Sequence, residues 1–166
     1  MQFIAYLPEP AEVIARAVEN AILEAGYRAG QGEDGCRAAV LEVEPLAGAC
    51  CVRFVGSGVP LDTLLTSRPE VYIHWCERGS VYESYREGKI VESLSRVYEG
   101  EPECYYTLTE RLSPEDGPIR LKERFPTPLV RASWRLSERA RRYCRPPDPP
   151  FSWTEVARWV LSKLLS

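Results

Sequence analysis

The chain has 166 residues, 45% of them hydrophobic and 27% charged, with a formal net charge of −3. That length suits one domain with a real core. No apolar run approaches the roughly 18 residues of a membrane span, and no basic, apolar and small-residue leader opens the chain, so a cytoplasmic location is expected. The sum hides an asymmetry: residues 1–110 hold 9 Lys/Arg against 18 Asp/Glu, whereas residues 111–166 hold 12 against 6. One Asn, two Gln, one Met and 14 prolines point to a thermophilic source, with few thermolabile side chains.

Residues 3–7 form a short apolar stretch stopped by Pro8-Glu9-Pro10. Pro10 suits a helix start, where a missing N–H costs nothing. The helix that follows carries Ile14, Val18, Ala21, Ile22 and Ala25 on one arc, with Glu12, Arg16 and Glu19 opposite. Gly26 is its expected stop, and residues 28–35 read as a glycine-rich polar loop. Residues 37–43 and 49–55 read as two strands across Pro45-Leu46-Ala47-Gly48. Gly56-Ser57-Gly58 and a short helix over 59–67 come next. A strand, a Gly-x-Gly and a helix start share features with phosphate-cradling loops, but the full spacing and a following lysine are missing, and a plain turn is the simpler reading.

Residues 71–77 alternate, with Val71, Ile73 and Trp75 on one side and Tyr72, His74 and Cys76 on the other. Both sides are largely apolar, as in a central strand covered on two faces. Residues 81–86 and 89–98 flank Glu87-Gly88 as a hairpin, the glycine supplying the positive φ of a tight turn. Strand, helix, strand, strand, short helix, strand is the ferredoxin-like order. The expected class is therefore α+β, with a ferredoxin-like βαββαβ order extended by antiparallel hairpins.

Residues 104–108 read as a further strand and 113–118 as a turn. Ile119 and Leu121 alternate with Arg120, Lys122 and Arg124; Val130, Ala132, Trp134 and Leu136 alternate with Arg131, Ser133 and Arg135. Period-two alternation predicts two strands that put these five cations on one sheet face. Residues 137–145 are expected to make a helical turn or two bearing Arg139 and Arg142. The division is then 1–145 as one domain, with 146–166 as a proline spacer and a docking helix. Ser152 and Glu155 form a capping box for that amphipathic C-terminal helix. Trp159 falls on its polar arc, where an aromatic side chain reads either as an interface anchor or as a second grip on the domain.

Candidate chemistry is sparse. His74 is the lone histidine and Cys76 lies two residues on, a pairing that can hold a thiolate nucleophile; mid-strand placement favours core packing. Six cysteines include no Cys-x-x-Cys pair, so zinc has no spacing to rest on, although internal disulfides are open to a thermophile. No cofactor signature is legible. The leading expectation is a non-catalytic binding protein (an inhibitor, immunity-type protein or accessory subunit). It would engage a protein partner through Arg120, Lys122, Arg124, Arg131, Arg135, Arg139, Arg142 and Trp159. The alternatives are nucleic-acid binding by the Arg-rich face and a Cys/His thiol enzyme or zinc protein. A homo-oligomer through the C-terminal helix is a further expectation; a membrane partner is not.

Overall fold

The computed structural model describes residues 1–30, 36–76, 80–97 and 104–146. The expected C-terminal helix with Trp159, and all of the proline spacer except Pro146, lie outside them. The described chain is a mixed α/β fold with four helices and a large antiparallel sheet. The first half supplies β1 (Gln2–Leu7), α1 (Ala11–Glu24), β2 (Arg28–Ala29), β3 (Arg37–Leu46), β4 (Ala49–Val55), α2 (Leu61–Thr66) and β5 (Glu70–Trp75). The second supplies β6 (Ser80–Arg86), β7 (Lys89–Val97), β8 (Cys104–Thr107), β9 (Arg111–Leu112), α3 (Asp116–Arg124), α4 (Thr127–Val130) and β10 (Arg141–Arg145). All ten strands join one sheet in the order β2-β10-β3-β4-β1-β5-β6-β7-β8-β9. No described helix is long and apolar enough to cross a membrane.

The sheet is covered on both faces, and strand alternation decides which residue goes where. Phe3, Ala5 and Leu7 of β1 enter a core with Val71 and Ile73 of β5, capped by Ile14, Val18 and Ile22 of α1 and by Leu61 and Leu65 of α2. Ile4 and Tyr6 point the other way, into a second core with Leu94 of β7, Leu121 and Phe125 at α3, and Leu129 of α4. The central strands are therefore apolar on both sides, as expected for β5. Two tight turns set the register. Gly48 closes β3/β4 at φ +70°, while Glu87 (φ +50°) and Gly88 (φ +78°) close β6/β7, the two positive φ values that match the strands' own twist.

Residues 116–145 depart from expectation. The two strands predicted over 119–124 and 130–136 are instead α3, α4 and an irregular strap over 131–140. Gly117, Leu121 and Phe125 are buried at a spacing of four, and Ile119, assigned to the core by the alternation reading, is 55% exposed. A two-residue repeat sampled over six positions also fits a helix, and here the helix wins because Pro118 is tolerated only in its first turn. Ser113 prepares that turn: its Oγ accepts the Asp116 N–H at 3.1 Å and donates to the Asp116 carboxylate at 2.7 Å. Conversely, the helical turns expected over 137–145 are corrected to the end of the strap followed by β10, which pairs with β3 on one side and β2 on the other. Its Tyr143 is 1% exposed in the first core, and a disulfide joins Cys144 to Cys36 at the start of β3.

Candidate functional site

His74 and Cys76 leave β5 on the second face, and β6 brings Ser80 back to meet them. His74 Nε2 lies 2.5 Å from Ser80 Oγ and 3.5 Å from Cys76 Sγ. Register sets Tyr82 directly opposite His74; the rings stack at 3.9 Å, and Trp134 of the strap closes edge-on at 5.2 Å. The enclosure governs the chemistry. Burial lowers the His74 pKa to about 4 and raises that of Cys76 to about 11. At neutral pH the imidazole and thiol are both uncharged, whereas a nucleophile needs the thiolate. The pair that the sequence singled out is in contact, with both groups in their neutral forms.

The other free cysteines are separated. Cys50 and Cys51 point to opposite faces, and burial holds them up to about 12 and about 11. Among the described residues no group of three His, Cys, Asp or Glu side chains is arranged to hold a metal ion. The Gly-x-Gly after β4 has local duties. A Cβ on Gly56 would meet the Phe54 ring at 2.7 Å and Ala39 at 3.0 Å. Gly58 takes φ +70°, and the Ser57 carbonyl accepts the Tyr27 hydroxyl at 2.5 Å.

The predicted partner-binding cations do not share a sheet face as paired strands. Arg120, Lys122, Arg124, Arg131 and Arg135 occupy the layer laid over the second face, whereas Arg139 lines a groove with Ala15 and Glu19 of α1 and Arg142 belongs to the sheet itself. Arg120, Lys122 and Arg124 are on α3, Arg131 follows α4, and Arg135 and Arg139 are in the strap. Arg142 is on β10 beside Tyr143; because Tyr143 enters the first core, Arg142 points to the side of α3 and α4. All seven are exposed. Arg124 lies 3.5 Å from Glu92, and none of the other six forms an ion pair with a described carboxylate. The eighth predicted residue, Trp159, lies outside the described residues.

Carboxylates under this layer are already engaged. Glu42, 8% exposed, accepts the Ser137 N–H at 3.0 Å and its hydroxyl at 2.5 Å. Arg53 bonds Glu44 at 2.8 Å and donates to the Ser133 carbonyl at 2.9 Å. These contacts fasten the strap to β3 and β4. Sequence reasoning missed the two that reach the strap because they join residues 80 and 95 positions apart; the single trace was a carboxylate between Leu41 and Val43 in an apolar strand. No known family, curated protein or solved structure matches the chain.

Proposed function

We propose that the protein is a non-catalytic binding module that engages an acidic protein partner through the layer formed by residues 116–142. One observation carries this reading. Arg120, Lys122, Arg131, Arg135, Arg139 and Arg142 are exposed without a described carboxylate partner, on a chain whose formal net charge is −3. Spare acidic groups elsewhere in the fold have not been drawn to them. A guanidinium left with open donors is matched to external carboxylates, and arginine is enriched at protein interfaces. The uncharged state of His74 and Cys76 lends the thiol-enzyme alternative no support.

We also read the stretch from β1 to β5 as a ferredoxin-like unit. The adjacency β3-β4-β1-β5 and the seating of α1 and α2 on one face support this. Few thermolabile side chains support a heat-adapted source, and in such a cell the Cys36–Cys144 disulfide is compatible with the cytoplasm.

The test compares the full chain with an Arg131→Glu/Arg135→Glu variant, using poly-L-glutamate and a mixed-sequence oligonucleotide as probes. Capture of polyglutamate by the wild type, lost in the variant at unchanged thermal stability, supports the reading. Preferential capture of the oligonucleotide with a steep salt dependence replaces it with nucleic-acid binding. Failure to hold either probe at low salt refutes it.

A further inference from the structure

Strand β8 covers only half of its neighbour. It pairs with β7 from Leu94 to Val97 and then turns away at Thr107, whose N–H bonds the Glu110 carbonyl at 2.8 Å. Beside Lys89–Ser93 no described strand takes up the outer edge of β7. The space left is a notch of about 330 Å³, floored by Leu94 and Phe125 and walled by Arg120 and Arg124 of α3. Two apolar side chains stand open on its rim, Val91 at 52% and Leu108 at 68% exposure.

Three recognition elements therefore converge. A bare strand edge offers main-chain donors and acceptors to another extended chain. The rim offers apolar contact to alternate side chains. On the α3 wall, Arg124 is partly occupied by Glu92, while Arg120 has no described carboxylate partner. Glu110 also lines the notch, and the groups there that match an incoming acidic side chain are those of the α3 wall.

We propose that this notch takes an extended segment of the acidic partner, added as a strand along Lys89–Ser93, with its carboxylates on the α3 side paired to Arg120 and Arg124. The inference rests on the reading of the basic layer as a partner surface and names the form the partner takes there. A second copy of the chain fits less well. The register irregularity at Ser84/Tyr85 leaves Val91 as an extra residue on β7, a local bend that a short flexible peptide can follow and the rigid edge of a second sheet cannot. Two-fold pairing of this edge also sets each copy's Arg120 and Arg124 on the same side of the junction, like charge towards like.

The experiment titrates the full chain with a fluorescent peptide of alternating Val and Glu. Its Val/Lys counterpart and a version N-methylated on alternate backbone amides serve as comparisons, and hydrogen exchange is followed at residues 89–93. Strand addition predicts saturable binding of the Glu peptide and slowed exchange at 89–93. It also predicts a loss of about tenfold or more on N-methylation or in Arg120→Glu, the scale of one or two hydrogen bonds to a charged or strand-edge group. Equal binding of the Lys peptide overturns the proposal together with the reading of the basic layer. Binding that survives N-methylation and leaves 89–93 unprotected, yet is lost in Arg120→Glu, overturns strand addition alone and keeps the basic layer as the contact. Protection of 89–93 in the free protein with a concentration-dependent mass assigns the edge to a second copy and overturns the proposal. Absence of saturable binding by the Glu peptide overturns it as well.

Discussion

The disulfide between Cys36 and Cys144 closes a loop with a sequence separation of 108. Replacing both residues by serine removes that constraint from the unfolded chain and leaves the sheet pairing of β10 in place. The loop-closure relation gives about 5 kcal/mol for a loop of this length, an upper figure because residual structure in the unfolded state lowers it. For a chain of this size each kcal/mol moves the unfolding midpoint by about 2–4 °C, so the variant should melt roughly 10–20 °C lower. The assay is thermal and urea unfolding followed by tryptophan fluorescence, for wild type with and without reductant and for Cys36→Ser/Cys144→Ser. Thiol titration of the denatured wild type should count four free cysteines, Cys50, Cys51, Cys76 and Cys104, rising to all six after reduction. The urea slope should also increase on reduction, since an uncrosslinked chain exposes more surface. Six reactive thiols before reduction, or coincident midpoints in oxidised and reduced protein, would show that no such cross-link constrains the chain.

Two further predictions follow from packing on the second face. His74 has a folded-state pKa of about 4 against an ordinary 6.5. The stability from burying it neutral is complete above pH 6.5 and is lost as pH falls towards 4, because the unfolded chain takes up the proton first. Between about pH 7.5 and 4.5 the loss amounts to about 2.5 kcal/mol, and His74→Asn should remove that part of the pH dependence; parallel pH profiles for the two proteins would sink the assignment. At Gly117 an added Cβ would lie 2.0 Å from the Tyr105 ring. Gly117→Ala should therefore cost about 1–3 kcal/mol by overpacking, whereas in a Tyr105→Ala background the same change should be neutral or gain up to about 1 kcal/mol of helix propensity. A stabilised single variant in the thermal melt would show that α3 does not sit where we describe it.

What was legible in the sequence depended on how far apart the deciding partners lie. The first helix, the β3/β4 hairpin and the β6/β7 hairpin are specified by near neighbours: Ile14, Val18 and Ile22 at helical spacing, and Gly48 and Gly88 at the turns. Residues 119–124 were misread because six alternating positions fit both periods. The better signal lay in prolines: Pro118 at a helix start, then Pro126 and Pro128 punctuating the next. The approach of Cys76 to His74 was visible as a same-face pair, yet its chemical state was not. Burial keeps both groups neutral, and the imidazole is enclosed by Tyr82 and by Trp134, which arrives from sixty residues away. Whether the arginines were free was likewise unreadable, since it turned on Glu42 and Glu44 being claimed by Ser137 and Arg53.

The position of β10 bears on how the molecule is made. Residues 141–145 slide between β2 and β3, strands that emerge from the ribosome about a hundred residues earlier. Until that wedge is synthesised, both flanks of the slot stay open, with their main-chain groups unsatisfied and available to any passing extended polypeptide. Such late, long-range closure slows folding. A nascent chain halted before residue 141 is therefore the form of this protein most prone to clump, whatever the stability of the finished one.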